Sequence, residues 1–290
     1  MERRRIWTAC LVFAVILLSS GATALAVGDL SLEYVDEWYV EDEPHSVAVD
    51  EESGDVFVTI NNNYRILRYS AQGDLLGMFG RDGELPVGLA VDAQGFIVVA
   101  VNINNNYRII WYDASGQILT EMEGEGLVGG ISADTEGHSI VAVNINQNYR
   151  VVEYLPTGEI TASWDGEGKA MAIGAGVEGQ ISVVASVNNM LHVVQRTREG
   201  ELLSQLELVA GVSETNGIVV APGGEVFVGI TNNHRVAICD ADGEQIGYFG
   251  EEGSEAGFFS SPWGMAMTQA GLLFVADSGN NRIQVFQLSY

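Results

Sequence analysis

Lysine is almost missing from this chain: Lys169 is the only one among 290 residues. Lys and Arg together number 13 against 39 Asp and Glu, a formal net charge of −26. Phosphate backbones and anionic bilayers attract clustered Lys and Arg. Neither nucleic acid nor an anionic membrane surface is therefore an expected partner. Cysteine is scarce too, with only Cys10 and Cys239. Cys10 falls in an N-terminal apolar run, which leaves Cys239 alone and excludes an intrachain disulfide once that run is removed. Helical periodicity is absent downstream of the run, and no second apolar stretch approaches the roughly 20 residues of a bilayer span.

The N-terminus reads as an export leader. Met1 to Arg5 is basic, Ile6 to Leu18 is an apolar run of 13 residues, and Ala24-Leu25-Ala26 fits a small-residue cleavage site. A cut after Ala26 is predicted. Residues 27–290 then form one domain, secreted or periplasmic, with an uncleaved membrane anchor as the alternative. The leader takes three Arg and one Glu with it, so the mature chain is more acidic still.

What the chain has in abundance is glycine, 35 residues, and a repeat. VADSGNNRIQVF (Val275–Phe286) reads as strand, polar turn, strand, because Gly and Asn tolerate positive φ. Degraded copies begin at Val58, Val101, Val143 and Val228. The openings PHSVAVD, PVGLAVD, VGGISAD and AMAIGAG start at 44, 86, 128 and 170, a period of 42, and looser copies start at Thr215 and Pro262. Periods in this range mark solenoids, propellers or arrays. Each period holds four short strands; in the first they are 46–49, 55–60, 65–69 and 75–79. Four-stranded repeats of this length predict an all-β, six-bladed propeller. The sixth copy ends after its third strand. The orphan strand at Leu30–Val40 is predicted to complete it and close the ring.

The turn-and-strand motif, the Pro-x-Gly opening and the Gly-Tyr-Phe-Gly closing (Gly247–Gly250) resemble the NHL repeat. The turn Asp of that repeat is present only as Asp277; Ile60, Ile103, Ile145 and Ile230 stand in its place elsewhere. The resemblance implies a binding platform for protein or RNA, and for a minority of related propellers a lyase or lactonase. No zinc-spaced Cys/His set accompanies it, and the acidity argues against RNA.

In a propeller the innermost strands start on the face that also carries the loops between second and third strands. His45, Val87, Gly129, Met171, Asn216 and Trp263 should ring the channel mouth there. Around them lie three Asn-Tyr-Arg triplets: Asn63-Tyr64-Arg65, Asn106-Tyr107-Arg108 and Asn148-Tyr149-Arg150. Amide, ring and guanidinium together suit a protein, peptide or glycan ligand. With His45 and Trp263 they form the candidate ligand site. Asp50, Asp92 and Asp134 recur where the inner strand ends and read as turn caps. Of four histidines only His45 points at the mouth; His138 falls on the opposite, turn face. The primary expectation is a monomeric, non-catalytic platform without cofactor or metal. The alternatives are a structural module of an extracellular assembly, or a lyase or lactonase using His45 and a divalent cation such as Ca²⁺ in the channel.

Overall fold

The computed structural model describes residues 24–27, 30–60, 64–176, 179–208, 215 and 217–290. It shows six antiparallel sheets arranged as the blades of a β-propeller. Residues 1–23 of the expected leader lie outside the described residues. Among the described residues no helix is long and apolar enough to cross a membrane.

The first blade runs Pro44–Val49, Val56–Ile60, Ile66–Tyr69 and Leu75–Phe79, within two residues of the strands expected from the sequence. Short strands arise because turn chemistry interrupts the chain every few residues. The turn before the outermost strand repeats one geometry, with Ser70 N to Asp74 O at 2.8 Å, Asp113 N to Gln117 O at 2.9 Å and Asp240 N to Glu244 O at 2.9 Å. Glycine is required in this turn. Gly200 has φ +89°, and a Cβ there would lie 2.7 Å from Cγ of Trp164 in the preceding blade.

No blade has a core of its own. Val98, Ile109 and Trp111 of the second blade share a cluster with Val141, Val152 and Tyr154 of the third, and the other clusters likewise span neighbouring blades. Each side chain so buried contributes about 1.5–3 kcal/mol, and only the stacked ring collects it. Cys239 is one such filler, fully buried, its thiol pushed up to about 12 by burial. Two asparagines stitch blades together through paired amide bonds. Asn102 accepts from Val128 N (2.8 Å) and donates to Val128 O (3.2 Å), and Asn144 does the same to Ala170 (2.8 and 2.9 Å).

The sixth blade contains Pro262–Met267, Leu272–Asp277 and Arg282–Ser289, and the N-terminal strand Leu30–Tyr39 completes it by pairing with Arg282–Ser289. A further strand, Ala24–Val27, pairs with Leu30–Glu33. The expected cut after Ala26 falls inside it. At the seam lies Arg282, 1 % exposed. Its Nε donates to Asp277 Oδ2 (2.7 Å) and its Nη1 to Glu37 Oε2 of the N-terminal strand (2.7 Å). The remaining guanidinium protons go to the carbonyls of Ser254, Glu255 and Phe258 at 2.9–3.0 Å.

Where the turn Asp is replaced by Ile, the corresponding Arg is not buried in this way. Arg108 pairs across the strand with Glu123, and Arg150 with Asp165 at 2.7 Å, half exposed. Removing one partner of a buried pair costs about 3–5 kcal/mol, whereas an exposed pair contributes about 0–1 kcal/mol. Arg282→Ala is therefore expected to lower the urea midpoint of unfolding sharply, and Arg150→Ala hardly at all. Equal effects in urea titrations of the two variants would refute this account of the seam.

Candidate active site at the channel

The bore is built from two positions of the innermost strands. The third residue of each opening is small: Ser46, Gly88, Gly130, Ala172, Gly217 and Gly264. Smallness is compulsory, since a Cβ on Gly217 would lie 1.9 Å from the carbonyl oxygen of Trp263. The fourth residue is apolar and buried in every blade: Val47, Leu89, Ile131, Ile173, Ile218 and Met265. These six side chains line both halves of the bore. On the mouth side of them lies a cavity of about 60 Å³, room for a few waters, also lined by Val87, Gly129 and Met171. On the opposite face the bore widens to about 400 Å³.

His45 and Trp263 begin their inner strands on the mouth face without lining the cavity there, and their ring centroids are 4.4 Å apart with the planes inclined by 37°. Burial pushes the imidazole below its ordinary 6.5, against the opposing charge of Glu43, so the ring is neutral at pH 7. His45 Nδ1 and Trp263 Nε1 are both buried with no hydrogen-bond partner among the described residues. Asn216, expected beside them, is outside the described residues.

The Asn-Tyr-Arg triplets are not one surface. Asn63 is outside the described residues. Tyr64 is 41 % exposed, and Arg65 pairs with Asp82 at 2.7 Å. Tyr107 and Tyr149, in contrast, are buried. The Tyr107 hydroxyl meets that of Tyr154 at 2.7 Å, and Tyr149 packs edge-on against Trp164 at 6.1 Å. Both rings cross a glycine of the outermost strand, Gly124 or Gly166, where a Cβ would meet the ring at 2.4 or 2.1 Å. Two of the three tyrosines are thus withdrawn from any ligand. The signal was present in the sequence: EGEG and DGEG place these glycines directly opposite the rings. Asn106 and Asn148 are exposed at strand starts, beside turns in which Asn104 and Asn146 adopt positive φ.

On the turn face, the expected capping by aspartates is present. Asp92 Oδ1 accepts from Gln94 N and Phe96 N, both at 2.9 Å, and Asp134 Oδ1 accepts from Glu136 N and His138 N at 3.0 and 2.8 Å. Sequence reasoning missed that Asp134 also joins a cluster with Glu136, His138, Glu153 and Arg198. Asp134, Glu136 and His138 have the spacing of metal ligands. Arg198, however, already stands among them. It donates to Glu153 Oε2 and Glu136 Oε2 at 2.6 Å each and lies 3.3 Å from Asp134 Oδ2. A guanidinium fills the role of the cation there.

Nor does the narrow bore fit Ca²⁺. That ion takes 6–8 oxygens, and among the described residues that line the bore there Ser46 offers the only side-chain oxygen.

The NHL repeat family model matches residues 259–286, the stretch that contains Asp277 and Arg282. The chain folds as a six-bladed β-propeller and carries an NHL repeat in its sixth blade. No curated protein matches it in sequence. Among solved structures it is similar to virginiamycin B lyase from Staphylococcus aureus, at 14 % identity and TM-score 0.61 over 89 % of this chain and 99 % of that one. A catalytically inactive His-to-Ala variant of that lyase with Quinupristin matches at 14 % identity and TM-score 0.62, over 89 % of this chain and 99 % of that one. A gluconolactonase from Xanthomonas campestris matches at 16 % identity, TM-score 0.65 and 91 % of each chain. A PQQ-bound aldose sugar dehydrogenase from Streptomyces coelicolor matches at 12 %, TM-score 0.66, over 91 % of this chain and 100 % of that one. At these identities the likeness is one of fold. It nevertheless corrects the expectation of a propeller without catalysis to this extent: a lyase, a gluconolactonase and a sugar dehydrogenase are among these near full-length matches.

Arg198 holds the Glu153 carboxyl below its ordinary 4.5, although burial acts the other way. A depressed folded-state value stabilises the protein above the unfolded value and is lost as pH falls below it. Unfolding midpoints measured from pH 7 down to pH 3 should fall less steeply for Glu153→Gln than for the parent, with the variant less stable at neutral pH. Parallel profiles would exclude Glu153 as a source of acid sensitivity.

Proposed function

We propose that this propeller is an enzyme that opens a cyclic ester, as a lactonase or lyase, with His45 as its general base at the channel mouth. The observation that carries this reading is the neutral, desolvated imidazole of His45 stacked on Trp263. A base is useful only if it is unprotonated at working pH, and burial supplies that condition here. In hydrolysis, Nε2 takes a proton from water as the water oxygen adds to the ester carbonyl. The same proton passes to the ring oxygen as the C–O bond breaks. The apolar plug below the mouth keeps bulk water from reaching the site through the bore. The gluconolactonase and lyase folds support the reaction class, and the inactive His-to-Ala lyase supports a histidine in the central role. The leader expected over residues 1–26 would place this activity outside the cytoplasm.

His45→Ala should lower kcat/KM on a panel of lactones and cyclic depsipeptides by about 10²–10⁴-fold. The lowered pKa gives a pH profile whose acid limb lies below pH 6.5, since His45 becomes charged only there. An unchanged rate in His45→Ala, or an acid limb above pH 6.5, would remove His45 from the reaction.

A further inference from the structure

The outermost strand of each blade is a sheet edge, with a row of backbone N–H and C=O groups that its own blade leaves unpaired. In the sixth blade that edge is covered, because Ala24–Val27 adds a fifth strand outside Leu30–Tyr39. The other five blades end on their fourth strand. Three of those edges carry carboxylates in the strand itself: Glu121, Glu123 and Glu125 on Ile118–Glu125, Asp165 and Glu167 on Ile160–Glu167, and Glu207 on Leu202–Glu207. Charge on an edge strand protects it from pairing with another chain. Gln245–Phe249 of the fifth blade lacks charge, but none of its residues is exposed.

Leu75–Phe79 of the first blade is different. Its sequence, LLGMF, has no charged residue, and Leu75, Leu76, Gly77 and Met78 are all exposed. Gly77, at its centre, is not required by the chain's own packing. Its φ is not positive, and a Cβ there would meet nothing within 4 Å. Thr120, Ala162 and Ser204 hold the equivalent position in the next three blades. A glycine inside a strand often marks the close approach of another backbone. No described segment of this chain supplies that backbone.

We propose that Leu75–Phe79 pairs antiparallel with the same strand of a second copy, joining two first blades into one continuous sheet. The chain expected as a monomer is then one half of a dimer. A strand added to a sheet edge binds through its main chain and its alternate side chains. A two-fold axis at Gly77 sets Leu75 opposite Phe79 and Leu76 opposite Met78, the self-complementary contact of a C2 dimer. The ends of the strand fit that arrangement by charge. Asp74 precedes the strand and Arg81 follows it, so the antiparallel order brings Asp74 of each copy beside Gly80-Arg81 of the other. Among the described residues no ion pair reaches the Asp74 carboxylate, while Arg81 lies between Glu84 and Glu121 at 3.3 and 2.9 Å. The same operation on the next three blades would place carboxylates of two acidic chains in the contact. Charge therefore selects the first blade.

Sedimentation velocity of the full chain over a dilution series tests this. A contact between two such short strands is small, so the dimer should dissociate in the micromolar range. Met78→Lys puts an ammonium on the exposed edge and should weaken the dimer at least about tenfold, since symmetry counts the substitution twice. Ile160→Lys, at an equally exposed apolar position of the third blade, should leave it unchanged. Asp74→Lys should weaken the dimer by about threefold or more, because it sets Lys beside Arg81 of the other copy. Association limited only by the repulsion of two acidic chains would instead be strengthened by that change. A monomer throughout the series, a dimer insensitive to Met78→Lys, or a dimer strengthened by Asp74→Lys would each overturn the proposal. The dilution series needs no variant, and all three substituted positions are exposed, so misfolding does not blur the result.

Discussion

The guanidinium of Arg282 sits at the one place where this ring could come apart. A propeller whose last blade lacks a strand depends on its N-terminal segment to close it. Arg282 ties that segment, through Glu37, to the turn at Asp277 and to the loop before the sixth blade. The loop exists because the period there lengthens from 42 to 47 residues. The extra residues wrap the arginine and supply carbonyls for protons that Asp277 and Glu37 do not take. Gln284 continues the network, donating to Phe258 O at 2.7 Å and to Asp277 Oδ2 at 3.0 Å. A charge this deep is tolerated because each of its donors is answered.

Elsewhere in the ring the same arginine has changed its role. Once Ile takes the place of the turn Asp, the guanidinium turns elsewhere: Arg108 and Arg150 reach Glu123 and Asp165 on the outermost strand, Arg65 reaches Asp82 just beyond it, and Arg235 lies over the Tyr248 ring. In the fourth blade even the arginine is gone, and His192 stands 3.8 Å from Glu207 across the same pair of strands. What persists in every blade is the channel architecture: a small residue for close approach, then an apolar one to fill the bore. Those two positions divide the channel into a narrow mouth and a wide end on opposite faces. The strands carry the division, and the loops merely decorate it.

The fold was legible because its determinants are local and repeated. Period, turn glycines and the missing last strand each follow from spacing, and so did the pairing of Leu30–Tyr39 with the final strand. The candidate site was legible only in part. His45 and Trp263 occupy equivalent positions in different blades, so ring geometry alone brings them to one mouth. The triplets misled because identical residues faced different neighbours. Tyr107 and Tyr149 find a glycine opposite and fold inward, whereas Gly80 in the first blade approaches the Tyr64 backbone and leaves that ring outside.

By itself, then, the sequence determined the number of blades, the closing strand, the capping role of the aspartates and the burial of Cys239. These depend on hydrogen bonds and apolar contacts whose partners lie a fixed distance along the chain. Only the tertiary structure decided which charges are buried and which side chains meet across blades. Arg198 reaches Asp134, Glu136 and Glu153 over separations of 45–64 residues that follow no single spacing. The buried Oδ2 of Asp92, without a hydrogen-bond partner among the described residues, is likewise invisible to any pattern. Whether a carboxylate is satisfied depends on atoms that only folding brings around it.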